Sequence, residues 1–286
     1  KNSHIASTMS APIAYYTLVI TGGFNLLSAA PCLFKPWDMG VKMYMPLKLP
    51  TDERTIGQLS IMQAFMAVGV LSFSTMFIIG ANICLSQSFV LLHILMLCVG
   101  AACITVIMKD ENVGVDVKMC GMQLVVMLLT VVVLLYSAFT EDFDEPSGAP
   151  FPDISLALNF TGGLFILMNF AGIFMPMKLI EPYMPDPMMR PTDKYGSAQL
   201  CVFIRFASWV NVSTGALMVL FGTSDCDYYP IVISQLCYTP LFLGFFIAMA
   251  KSGLGFDDKP MFFWMIYISG LGGYFISALQ VYSVKM

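Results

Sequence analysis

Long runs of almost unbroken apolar residues alternate along this chain with short polar stretches rich in proline. The run MQLVVMLLTVVVLLYSAF, Met122 to Phe139, is apolar on every face of a helix. It lacks the period-two alternation of a barrel strand and the polar stripe of a soluble amphipathic helix. About 20 such residues are needed to cross about 30 Å of hydrocarbon. Eight runs qualify, at roughly 12–34, 57–80, 88–107, 121–139, 155–176, 197–222, 230–250 and 260–283. The pattern predicts an all-α polytopic membrane protein of about eight transmembrane helices. The weakest division is ANICLSQS, Ala81 to Ser88, which carries no charge and predicts a tight turn.

The polar stretches occur in pairs. PTDERTIGQL begins at Pro50 and PTDKYGSAQL at Pro191, an offset of 141 residues. TGGF at Thr21 falls on TGGL at Thr161, and LFKP at Leu33 on IFMP at Ile173. YMP recurs at Tyr44 and Tyr183, and GVDVK at Gly114 meets GFDDK at Gly255. Matches that keep both order and offset over such a distance predict two tandem, parallel four-helix repeats. The corresponding division is a tail at 1–11, a first repeat at 12–140, a linker at 141–154 and a second repeat at 155–286. An even number of spans per repeat makes both enter the membrane in the same direction, related by an axis along its normal. Within each decamer, Thr51 and Asp52, or Thr192 and Asp193, are expected to cap the helix that follows. The prolines, Trp37, Tyr44 and Tyr183 place the preceding stretches in the membrane interface.

Composition agrees with the pattern: 58% of the 286 residues are hydrophobic and 11% charged, against about 25% charged in soluble domains. Charge adds orientation. The loops 35–56, 108–120, 177–196 and 251–259, with Arg205, hold 12 of the 14 Lys and Arg residues. The positive-inside rule puts that side in the cytoplasm, stroma or matrix, and both termini on the lumenal or intermembrane-space side. The linker carries Glu141, Asp142, Asp144, Glu145 and Asp153 and reads as a solvated, acidic connection. Lys1, where a start methionine would stand, fits a removed targeting peptide and a truncated sequence equally well.

Candidate chemistry is sparse. Of the two histidines, His93 alone lies in a span. It is a candidate axial ligand to a chlorophyll magnesium or a single haem ligand, with a hydrogen bond to a neighbouring helix as the alternative. Arg205 is the one charge well inside a predicted span and is expected to reach back to a lipid or pigment headgroup. Cys84 and Cys226 stand in loops on the same side and can pair in an oxidising compartment. Asn25, Asn159, Asn169, Asn211, Gln63 and Gln280 read as polar glue between helices. No nucleophile–base pair, phosphate-cradling loop, zinc spacing or basic nucleic-acid patch appears, so neither catalysis nor nucleic-acid binding is expected.

The order of TGG (Thr21–Gly23, Thr161–Gly163), the Pro36 and Pro176 region, a polar interfacial stretch, a Gln-Leu helix start and two further spans resembles the small DoxX-like four-helix membrane proteins. The resemblance implies a four-helix unit and carries no activity with it. The expected function is a non-catalytic accessory subunit of a large membrane energy-converting complex, in contact with membrane lipids and other membrane subunits. The acidic balance, with a pI near 5.1, favours a photosystem in the thylakoid over a respiratory complex in the mitochondrial inner membrane. Chlorophyll and carotenoid are the cofactors such a place implies. A small-solute transporter or channel built from parallel repeats is the alternative.

Overall fold

The computed structural model describes residues 11–143, 152–226 and 229–285. All regular structure among them is helical. Eight long helices account for the predicted spans: α1 (Pro12–Phe34), α2 (Glu53–Ile83), α3 (Gln87–Met108), α4 (Val117–Thr140), α5 (Pro152–Phe174), α6 (Lys194–Thr223), α7 (Tyr229–Lys251) and α8 (Asp258–Lys285). Each is long and apolar enough to cross a membrane. The linker falls largely on residues 144–151, and the N-terminal tail on 1–10; both lie outside the described residues.

The helix starts follow from their caps. Asp52 Oδ2 accepts from the Thr55 amide at 2.8 Å and the Thr55 hydroxyl at 2.8 Å. Asp193 Oδ1 accepts from Tyr195 N at 2.9 Å and Gly196 N at 2.7 Å. The aspartates are therefore the caps. Thr51 and Thr192 stand one residue earlier, exposed, and take no part. The amide and hydroxyl of Thr55 hold the Asp52 carboxyl below its ordinary value. A lowered carboxyl pKa means the cap's contribution is full above the ordinary value and is lost as pH falls through the lowered one. The predicted tight turn is three residues long, Cys84 to Ser86, and Ser86 caps α3 through Phe89 N.

α2 and α6 are the longest helices and form the centre, each 61% buried over its span; α1, α4, α7 and α8 are near 20%. The outer helices turn unbroken apolar faces outward, as at Leu27, Leu129, Phe139 and Leu167, which suits contact with lipid tails. α1 packs on α2, α3 on α4, α5 on α6 and α7 on α8, but α3 packs across the halves on α6, and α7 on α2. The two halves of the chain thus embrace each other through exchanged contacts. Trp209 on α6 donates its indole N–H to Met96 O on α3 at 3.0 Å, and Ser72 on α2 donates to Gln235 on α7 at 2.9 Å.

Both ends of the α2–α6 interface are fastened. At the end where α1 begins, a disulfide joins Cys84 to Cys226, tying the α2–α3 turn to the α6–α7 turn. At the opposite end two glutamines cross between the halves. Gln58 Nε2 donates to Met189 O and Leu254 O, both at 2.7 Å. Gln199 Nε2 donates to Lys48 O at 2.7 Å and Val113 O at 2.9 Å. Donors and acceptors of the two clamps are related by the same offset of 141 residues. Gly114 and Gly255, also 141 apart, both take positive φ (71° and 90°), as glycine readily does, and lead the chain past those carbonyls. A side chain at Gly114 would strike Lys48, and one at Gly255 would strike Met189.

α5 and α6 meet backbone to backbone. A Cβ on Gly162 would collide with Gly215 O, and one on Gly215 with Gly162 O. Gly215→Ala is expected to destabilise the protein by about 1–3 kcal/mol, the usual range for overpacking. Gly163→Ala, which points into open space, is expected to change little. Thermal unfolding of the two variants in detergent separates them, and equal melting curves would contradict this packing.

Candidate functional site

Two cavities lie inside the bundle, one in each half, and each is completed by the central helix of the other half. Cavity A, of about 430 Å³, lies among α1, α2, α3 and α4 and is closed by Phe203, Phe206 and Trp209 of α6. Cavity B, of about 150 Å³, lies among α5, α6, α7 and α8 and is closed by Met62, Phe65 and Gly69 of α2. Met62 and Phe203 are 141 apart, as are Phe65 and Phe206, so the same face of each central helix does the closing.

Their polar contents differ. In cavity B the amides are satisfied: Asn211 Nδ2 donates to Asn169 Oδ1 at 3.1 Å, Asn169 donates to Phe165 O, and Gln235 accepts from Ser72. In cavity A, Gln63 is 2% exposed, meets the Cys32 thiol and makes no other hydrogen bond. The Asn25 amide on α1 also lines this cavity and takes no hydrogen bond among the described residues. Gln123 donates to Tyr44 Oη at 3.1 Å, and its counterpart Trp264 donates to Tyr183 Oη at 2.8 Å. Tyr44 and Tyr183 are therefore packed at the bundle ends, and burial pushes both phenols above their ordinary value.

His93 lines cavity A at 3% exposure. Its ring lies 4.0 Å from the Phe77 ring, centroid to centroid, at an angle of 45°. Neither ring nitrogen has a hydrogen-bond partner, and both are sealed behind neighbouring side chains. The donor is chemically suited to a five-coordinate chlorophyll magnesium or haem iron, but as packed it presents no nitrogen to a macrocycle. No hydrogen bond to a neighbouring helix is made. An unpaired imidazole in a dry interior costs free energy that an apolar residue does not. His93→Leu is therefore expected to leave pigment-free protein as stable or up to about 1 kcal/mol more stable. A loss of about 2 kcal/mol in the same thermal unfolding assay would show that the imidazole is bonded after all.

Arg205 has a protein partner. Its Nε donates to Ile173 O at 2.9 Å, among the last carbonyls of α5. A cation there satisfies an open carbonyl and suits the negative end of the helix dipole. Arg205 thus caps α5.

The glutamine clamps were not visible from the sequence pattern, where Gln58-Leu59 and Gln199-Leu200 read only as part of a helix start. Their recurrence at the decamer's offset was the available signal. Gln63 carried no signal beyond its polarity. No protein-family model matches the chain, and neither a curated protein nor a solved structure is similar to it. The fold defines an integral membrane protein with eight membrane-spanning helices among the described residues.

Proposed function

We propose that the chain is a non-catalytic accessory subunit of a large membrane energy-converting complex, a photosystem being favoured, and that its two halves descend from one duplicated four-helix unit of the DoxX-like kind. The observation that carries the proposal is the fastening of both ends of the α2–α6 interface. Transport by alternating access needs one half to rock against the other around a central site. Here a covalent bond opposes opening at one end, and four hydrogen bonds oppose it at the other. Such a bundle suits a rigid spacer with apolar outer faces for lipid and neighbouring subunits.

The disulfide also bears on sidedness. It lies at the end where α1 begins, next to the hydrogen bond of 3.0 Å from Tyr15 Oη to Asn82 Oδ1. The charge count assigns that end to the lumen, and disulfides persist in oxidising compartments. Two independent arguments thus support termini facing a lumen. Pigment contact, by chlorophyll or carotenoid, falls to cavity A in this account.

Flux measurements in proteoliposomes test the choice between spacer and transporter. The proposal predicts no saturable uptake of small solutes with the disulfide intact. Saturable uptake that survives with Cys84–Cys226 closed would overturn it in favour of a transporter.

A further inference from the structure

We infer that cavity A is a binding site for a neutral, membrane-dissolved amphiphile: an extended apolar body, polyene or isoprenoid in character, bearing one hydroxyl or carbonyl group. Four features of the cavity define this ligand. Phe24, Met122 and Val126 line it and are also exposed on the outer faces of α1 and α4, at 58%, 57% and 45%. The opening therefore faces the bilayer sideways between these helices, and the ligand arrives from the hydrocarbon. Among the described residues no Asp, Glu, Lys or Arg lines the cavity, so a charged ligand would meet no counter-charge. Phe73, Phe203, Phe206 and Trp209 supply flat walls for an unsaturated body.

The polar group is fixed by Gln63. A primary amide left unpaired in an apolar interior costs a few kcal/mol, and Gln63 is almost fully buried with only a weak thiol neighbour. The fold does not demand an amide there: its counterpart 141 residues on is Ile204, also buried. One half of the bundle closes this position with hydrocarbon, and the other places a donor and an acceptor in the cavity. A hydroxyl or carbonyl on the ligand would satisfy them. A cavity of about 150 Å³ suffices for a single benzene-sized ring, and cavity A is larger, at about 430 Å³.

The probe is all-trans retinol, a neutral polyene alcohol that accepts excitation energy from tryptophan. The full chain is synthesised into nanodiscs of phosphatidylcholine alone, so that retinol is the one neutral polyene present. The expected result is saturable energy transfer that falls most in Trp209→Phe, with Trp37 and Trp264 as the remaining donors. Gln63→Leu should weaken binding about tenfold, while Ser208→Ala at cavity B should leave it unchanged. Ala67→Phe, which fills the cavity from α2, should abolish it. Retention of the Cys84–Cys226 disulfide on non-reducing gels shows that each variant is folded. Linear, non-saturable transfer in the unaltered protein would overturn the site, and unchanged affinity in Gln63→Leu would overturn recognition by the amide. Neither outcome touches the accessory role, which does not depend on this cavity.

Discussion

Gln58→Glu is expected to destabilise the protein by about 3–5 kcal/mol, and Gln199→Glu by a similar amount, although each keeps the shape of the side chain. The amide nitrogen is what matters. Gln58 Nε2 serves two carbonyls of the other half at once. A carboxylate there would aim an oxygen at two oxygens and bury a charge without a partner, at about the cost of breaking a buried ion pair. Gln58→Leu is expected to cost less, about 2 kcal/mol. It leaves two carbonyls unpaired but also removes Gln58 Oε1, which is buried without a partner in the present structure. The order Glu worse than Leu at both positions is the diagnostic result, read from thermal unfolding in detergent. The glutamate variants should also recover in acid. A buried carboxyl of this kind has its folded pKa raised, so its stability is highest below the unfolded value and falls as pH rises through the folded one. Leucine variants would show no such recovery. Equal melting of the Glu and Leu variants would mean that the clamps do not hold the halves together.

The second large effect belongs to the disulfide. Cys84→Ser, or reduction, is expected to cost about 2–4 kcal/mol, because the bond closes a long loop, with a sequence separation of 142. The free-chain formula gives a larger figure, about 5 kcal/mol for a loop of that length. The lower range is expected because unfolded helices remain confined to the bilayer. A protease site placed in the acidic linker, 141–154, makes the point directly. After cleavage the two fragments should migrate as one species on a non-reducing gel and as two after reduction. Two species without reductant would show that the halves are not covalently joined across the loops.

The spans were legible because hydrocarbon thickness fixes helix length, and runs such as Met122 to Phe139 leave no other choice. The helix starts were legible in Pro-Thr-Asp, although the sequence could not say whether threonine or aspartate accepts the amides; Asp52 and Asp193 take the N-cap position, and the threonines stand one residue before it. The disulfide was readable as a pairing of two loops on one side. Helix neighbours were not readable. A helix that is apolar all round has no face that names its partner, so nothing in the sequence of α3 points to α6. Cavities are still less legible, since a void is what many side-chain volumes leave over. For that reason Gln63 looked like ordinary interhelical glue until its surroundings were known. His93 was singled out from residue type alone, and only its packing against Phe77 shows that both nitrogens are covered.

The accessory role is tested most directly by a native gel of mildly solubilised source membranes, with each band identified by mass spectrometry. The account predicts migration with the core subunits of a photosystem, at a mass far above that of the chain alone. Migration by itself, near the mass of a monomer or dimer, would contradict it.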